Sequence, residues 1–251
     1  MDCISLLTPI YNRNKWLPLM IINIQNLEYD KSKLEWVILD SKDGDKNIKL
    51  FENDHQRKEV EKQVGIPIKY YYENHKMTIG AKRNKLTKLA SYKICANMDS
   101  DDYFFTTWLS HSMQIMKSEK KCGLVGTKGM IFCYPYDNFK MTGIECYEKR
   151  MIHESGMLYT KKHWKQMGGF QKSSQGEGTG MIDYNEKCCL CSDVSKVIVC
   201  ICHNDNTIDK ERFKTKDIGI PPMYGQVKEV LTQILNVPNF NLINYSGLKT
   251  I

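Results

Sequence analysis

Through its first hundred residues the chain alternates between short β-type runs and helix-type periodicity. Cys3–Leu7, Leu34–Leu39, Ile68–Tyr72 and Ile94–Met98 each read as a strand, the first ended by Pro9. Between the first two, Trp16, Leu17, Met20, Ile21, Ile24 and Leu27 recur at three- and four-residue spacing. That spacing predicts an amphipathic helix over 15–28, with Pro18 tolerated in its first turn. Asp45 is placed to cap a polar helix over 46–63, Gly65 and Pro67 punctuate entry to the third strand, and Thr78 opens a helix running to about Ser91. A β-α-β-α-β-α-β series of this kind predicts a mostly parallel sheet with crossover helices, because parallel strands cannot be joined by tight turns.

Beyond residue 105 the order changes. A helix over 107–118 is expected, then β-rich segments at 123–134, 141–147 and 153–159 joined by Gly, Pro and Asp. A helix over 161–167 should stop at Gly168-Gly169, ahead of a Gly-, Ser- and Gln-rich loop from 171 to 180. Asp183–Leu190 reads as weakly helical, Lys196–Cys202 as a strand, and 222–236 as a helix after Pro221-Pro222. With no repeat and no long linker, the expectation is one α/β catalytic domain over 1–205 and a helical extension over 206–251. The domain divides into halves at 1–103 and 104–205. The apolar face of the last helix (Met223, Val227, Val230, Leu231, Ile234) is expected to pack on it.

At 251 residues the chain can bury a core without disulfides or metal staples. Its longest apolar run is the six residues Val197–Cys202, against the roughly 18 needed to cross a bilayer, so no transmembrane segment is expected. Met1-Asp2-Cys3-Ile4 carries an acid where a secretory signal would be basic. A cytoplasmic location is therefore expected, with the 10 cysteines reduced. The net charge of +7 is spread without a block of five like charges, and even Lys117 to Lys121 includes Glu119. That is the pattern of a solvated surface, with no nucleic-acid partner expected.

Polar residues concentrate where strands end. The first strand runs into Thr8-Pro9-Ile10-Tyr11-Asn12-Arg13, the second into Asp40-Ser41-Lys42-Asp43-Gly44-Asp45, and the fourth into Asp99-Ser100-Asp101-Asp102. Carboxyl ends of parallel strands share one edge of a sheet, so these clusters should meet in the crevice where such folds bind ligands. Three carboxylates within Asp99–Asp102 would repel one another without a cation, which suggests a hard divalent ion, Mn²⁺ or Mg²⁺, completed by water and phosphate oxygens. The same aspartates could also cap the helix beginning near Thr107.

The run Ile4–Arg13, then Glu35-Trp36-Val37-Ile38-Leu39-Asp40, Thr78-Ile79-Gly80-Ala81-Lys82-Arg83-Asn84 and Met98-Asp99-Ser100-Asp101-Asp102 resembles, in order and spacing, the family-2 glycosyltransferases of the GT-A fold. The resemblance covers about residues 3–205. One departure is Asp40-Ser41-Lys42-Asp43-Gly44-Asp45, where the family often has Asp-Asp-Gly-Ser, which leaves Asp43 and Asp45 without an assigned part. The resemblance implies an inverting, metal-dependent hexosyltransferase that moves a sugar from a UDP- or GDP-sugar to a hydroxyl acceptor of unspecified class. It implies that Thr8, Tyr11 and Arg13 line the nucleotide pocket and that Asp40 meets the base. Arg83 would face the nucleotide, Asp99 the ribose or donor sugar, and Asp101 the metal. A Gly-Gly-Phe turn precedes the family's catalytic base. Here Gly168-Gly169-Phe170 precedes Glu177, the expected base, with Asp183 as competitor.

His203 follows the last strand and in several GT-A enzymes a histidine there joins the metal; a lone His at a strand end is also an ordinary edge residue. Cys188, Cys189, Cys191, Cys200 and Cys202 with His203 offer a rival zinc site, and with it a zinc-stapled nucleic-acid-binding module. The Cys200-x-Cys202 spacing is too tight for a usual knuckle and suits one face of a strand equally well. A sugar-phosphate nucleotidyltransferase would want a Gly-rich loop after the first strand, and Thr8–Arg13 has no Gly.

Overall fold

The computed structural model describes residues 1–42, 48–145, 152–183, 185, 187–214 and 224–235. In chain order the elements are β1 (Ile4–Ile10), α1 (Leu17–Asn26), β2 (Leu34–Ser41), α2 (Asp54–Val64), β3 (Ile68–Glu73), α3 (Ile79–Leu89), β4 (Ile94–Asn97) and β5 (Asp102–Phe104). There follow α4 (Trp108–Ser118), β6 (Leu124–Thr127), β7 (Gly129–Tyr134), β8 (Lys140–Glu145), β9 (Leu158–Thr160), α5 (Lys161–Met167), β10 (Cys189–Ser192), β11 (Ile198–Ile201) and α6 (Tyr224–Leu235).

Seven strands form one sheet in the order β10-β6-β9-β4-β1-β2-β3, and four form a second in the order β5-β11-β7-β8. β1 pairs in parallel with both β2 and β4, so the three strand ends expected to meet do share one edge. The strand β1 continues through Pro9, contrary to the expected stop. Its pairing with β4 ends at Leu7–Asn97 while its pairing with β2 runs on to Ile10–Asp40, so Pro9 lies past the last β4 pair, where a missing N–H is tolerated.

Alternation along β1 and β2 divides the core between two faces. Leu6, Trp36 and Ile38 pack with α1, α2 and α4, whereas Leu7, Val37 and Leu39 pack with Leu86 of α3 and with Trp164 and Met167 of α5. Each such strand side chain is fully buried, worth about 1.5–3 kcal/mol of transfer free energy. Val227, Leu231 and Ile234 of α6 are buried in the first of these clusters, with α6 against α1.

Two helical expectations are corrected. α2 begins at Asp54, capped by Asn53 accepting from the Gln56 N–H, and not near residue 46; the expected cap Asp45, with Asp43, lies outside the described residues. The weakly helical 183–190 segment instead leads into β10, which pairs in parallel with β6, since cross-strand burial overrides a marginal helical preference. β5 was not expected at all: three residues pairing antiparallel with β11, with Asp102 opposite Cys200. No helix among the described residues is long and apolar enough to cross a membrane.

Candidate active site

The Thr78 side chain caps α3 by accepting from the Ala81 N–H, and the helix presents Lys82, Arg83 and Asn84 to three different partners. The Lys82 Nζ donates to the Ile10 carbonyl at the end of β1 and lies 5.4 Å from the Tyr11 ring centre. Burial, only partly offset by Asp40, pulls this ammonium down to about 8. Asn84 fastens the turn after α5. Its Oδ1 accepts from the Phe170 N–H and the Trp164 Nε1–H, both at 2.8 Å, and its Nδ2 donates to the Phe170 carbonyl at 2.7 Å.

Arg83 is 2% exposed and joins two carboxylates. Its Nε donates to Glu177 Oε1 at 3.0 Å and its Nη2 to Asp99 Oδ2 at 3.0 Å, while Nη1 lies 2.9 Å from Asp99 Oδ1 as an ionic contact without hydrogen-bond alignment. Burial opposes its charge, but the Asp99 and Glu177 carboxylates outweigh that cost and hold its pKa above the usual guanidinium value. Arg83 therefore braces the site, where the resemblance had it face the nucleotide.

Asp101 lies beside His203, brought there by the β5–β11 pairing. His203 Nε2 is 2.9 Å from Asp101 Oδ2, and the Arg13 Nε donates to the same oxygen at 3.2 Å. Burial pushes the Asp101 carboxyl up, but the hydrogen bond and charge of His203, with Arg13, hold it well below the carboxylate range. Arg13 also donates to the Asp205 carbonyl, and Lys15 pairs with the Asp205 carboxylate. The neighbouring Asp102 accepts from Ser155 at 2.9 Å and is pushed up to about 7 by burial and by the charges of Asp101 and Asp99.

Against the second sheet, between it and the start of α3, a cavity of about 510 Å³ is lined by Arg83, Asp99, Asp102, Glu154, Glu177 and Lys210, with Met130, Ile144 and Phe213 as apolar wall. Glu177 opens a single 3₁₀ turn, Glu177–Met181, and is 4% exposed. The cavity thus brings Asp99, Arg83 and Glu177 together, with the Asp101–His203 pair adjoining through Asp102.

Three expected residues are placed otherwise. Thr8 is fully buried and its hydroxyl accepts from the Trp36 Nε1–H at 2.8 Å, so its side chain serves packing and offers no surface to a ligand. Asp40 is 2% exposed; its Oδ2 accepts from the Leu50 N–H at 3.0 Å and the Tyr70 hydroxyl at 2.8 Å, and burial raises its pKa despite those bonds. Asp183 is removed from the cavity lining. Its Oδ1 accepts from the Asn185 N–H in a turn beside Cys188, so it does not share the cavity with Glu177. Tyr11 is half-buried at the end of β1, with Lys76 5.3 Å from its ring centre.

Glu154 and His153 were missed. Both lie between β8 and β9 and line the cavity, and no spacing motif marks them. The available signal was positional: an acid and a histidine just ahead of the apolar run Met157–Tyr159, with Ser155 and Gly156 between.

The cysteines of the rival zinc site are divided between the two sheets: Cys189 and Cys191 lie on β10, and Cys200 lies on β11 just before Cys202. Among the described residues no group of three or more His, Cys, Asp or Glu side chains is close enough to hold a metal ion by itself. Asp101 and His203 do converge, an oxygen and a nitrogen donor whose chemistry would suit a divalent ion such as Mn²⁺ with further ligands from outside the chain.

A mostly parallel sheet, with β9 antiparallel between β4 and β6, carries beyond its strand ends a crevice lined by aspartates and a buried carboxylate–arginine pair, the place where α/β folds bind ligands. The sequence model of Glycosyl transferase family 2 matches residues 5–180, and the chain belongs to that family. No curated protein matches in sequence. Among solved structures, the chain is similar to S. aureus TarS 1-349 in complex with UDP, at a TM-score of 0.62 and 15% identity over 100% of this chain and 76% of that one. It is also similar to the mannosyltransferase PcManGT from Pyrobaculum calidifontis in complex with GDP-Man and Mn²⁺, at 0.56 and 14%, over 93% of this chain and 70% of that one. Against another structure of TarS 1-349 it spans 60% of that chain. At these identities the likeness is one of fold.

Proposed function

We propose that the protein is a metal-dependent, inverting glycosyltransferase that uses a UDP- or GDP-sugar as donor and a hydroxyl as acceptor. The observation that carries this reading is Arg83, which binds both Asp99 on the donor side and Glu177 on the acceptor side of one cavity. Family membership supports the reaction class, and the neighbours' UDP, UDP-GlcNAc and GDP-Man complexes support the donor class.

In this reading Tyr11 and Arg13 flank the nucleotide, Asp40 stands behind it with its second oxygen directed by the Leu50 and Tyr70 bonds, and Asp99 meets the ribose or sugar. Asp101 and His203 would hold the cation, which when bound neutralises charge on the departing diphosphate. Glu177 accepts the proton of the acceptor hydroxyl as that oxygen bonds to the anomeric carbon. The bond from that carbon to the diphosphate oxygen breaks on the opposite face, giving an inverted glycoside and a nucleoside diphosphate. The unit doing this is the 1–205 domain together with the start of the 206–251 extension, whose Lys210 and Phe213 line the cavity.

The test is release of UDP from UDP-GlcNAc, or GDP from GDP-mannose, with Mn²⁺ present. Asp101→Ala is expected to abolish Mn²⁺-dependent release while leaving the fold intact, and Glu177→Gln to keep UDP or GDP binding and lose turnover. Unchanged turnover in Asp101→Ala would remove the metal assignment; unchanged turnover in Glu177→Gln would remove the base.

A further inference from the structure

The segment between β8 and β9 crosses the end of β4, where Asn97 donates through Nδ2 to the Glu154 carbonyl at 2.9 Å and the Gly156 N–H returns to the Asn97 carbonyl. From this anchored stretch two side chains reach two different elements. Ser155 donates to Asp102 at 2.9 Å, and Glu154 Oε1 accepts the Gly178 N–H at 2.9 Å. Gly178 follows the expected base directly, so that bond fixes the first peptide of the turn bearing Glu177. The approach is close enough that a Cβ on Gly178 would stand 2.6 Å from Glu154 Cγ and 2.9 Å from Oε1, so only glycine permits it.

Charge adds a second argument. Arg83 on α3 forms ion pairs with Asp99 and Glu177, whereas among the described residues Glu154 forms none. Glu177 faces Glu154 from the turn, Arg83 faces it from α3, and Asp102 and Lys210 line the same cavity. Burial and the charge of Glu177 push the Glu154 carboxyl above its ordinary value, with the Gly178 bond and Arg83 opposing.

We propose that Glu154 is a positioning residue of the acceptor site, whose carboxyl group anchors the Gly178 amide and thereby sets where Glu177 stands against the incoming hydroxyl. This rests on the assignment of Glu177 as base. A displaced base leaves donor binding untouched and slows transfer, because only the proton-accepting geometry changes.

The test compares Glu154→Ala with Glu154→Gln, whose amide oxygen can still accept from Gly178. With UDP-GlcNAc or GDP-mannose and Mn²⁺, kcat for diphosphate release is expected to fall about tenfold or more in Glu154→Ala, with Kd for UDP or GDP within about twofold. Glu154→Gln should restore most of the rate, and its pH–rate profile should lack one ionisation present in the wild type. Hydrogen exchange supplies a readout independent of turnover: peptides covering 176–181 should lose protection in Glu154→Ala and keep it in Glu154→Gln. A wild-type kcat and wild-type protection in Glu154→Ala would overturn the proposal. So would a Glu154→Gln protein as inactive as Glu154→Ala, since Glu154 would then be acting as the base itself. If Glu177→Gln turned over normally while Glu154→Ala still lost protection over 176–181, the base assignment would fall and the anchor would stand.

Discussion

Arg83 joins Asp99 to Glu177 in one cavity, and its burial makes its removal costly. Arg83→Ala would leave Asp99 and Glu177 facing each other without a cation, at about 3–5 kcal/mol for a broken buried ion pair. Denaturant unfolding of Arg83→Ala should show that loss, and a midpoint equal to the wild type would contradict the brace. His153 carries a pH prediction. Burial, then the charge of Lys210, pull its imidazole from 6.5 down to about 4, so between those values the unfolded chain binds a proton that the folded chain refuses. Stability due to this group is complete above pH 6.5 and is lost as pH falls toward 4, by up to about 3 kcal/mol. His153→Gln should flatten the acid side of the stability–pH curve between those values; parallel curves would show that His153 is protonated in the fold. Of these residues Arg83 was singled out only because Thr78–Asn84 resembles the family, and the resemblance gave it a place at the nucleotide, not its ion pairs with Asp99 and Glu177. His153 and Glu154 were not, because their importance comes from a chain crossing over β4 that no local spacing encodes.

Among the elements, α3 and the turn after α5 are joined by one residue. Asn84 makes three hydrogen bonds to Trp164 and Phe170, and Arg83 beside it holds Glu177, so successive residues of one helix grip both ends of the 170–177 loop. Asn84→Ala removes all three bonds and leaves the Phe170 N–H and carbonyl to find new partners. At about 1 kcal/mol or more for each bond, we expect a stability loss of roughly 2–4 kcal/mol. Turnover should fall more than affinity for UDP or GDP, since in the proposed reading the loop carries the base and not the nucleotide contacts. Equal losses in the two would place the loop on the donor side. The four parallel strands and α1, α3 and α4 could be read from periodicity and caps because their signals are local: Thr78 caps where it was expected to, and Gly168 ends α5 in a left-handed conformation. β5 and β10 escaped because each is three or four residues long and exists only through its partner, β11 in one case and β6 in the other.

At the scale of the whole molecule, the proposed metal pair of Asp101 and His203 is a consequence of the second sheet. Asp101 and His203 are far apart in sequence, and each was legible alone as an acid after a strand and a histidine after a strand. Their meeting required the antiparallel register of β5 and β11, with Arg13 and Lys15 tying the end of β1 to Asp205 on the other side. The pair therefore couples the first and last parts of the domain, and a ligand bound there should stabilise the whole. UDP or GDP at about a hundred times Kd should add about 2.7 kcal/mol, which for a domain of this size raises Tm by roughly 5–10 °C. The shift should require Mn²⁺ or Mg²⁺, vanish with a chelator, and be lost in Asp101→Ala and His203→Ala. In Glu177→Gln it should persist in full, because Glu177 pairs with Arg83 and not with Asp101 or His203, and in the proposed reading takes no part in holding the diphosphate. A shift of the same size with and without the metal would show that Arg13 and Lys82 carry the diphosphate by charge alone, leaving the Asp101–His203 contact as an ordinary buried ion pair.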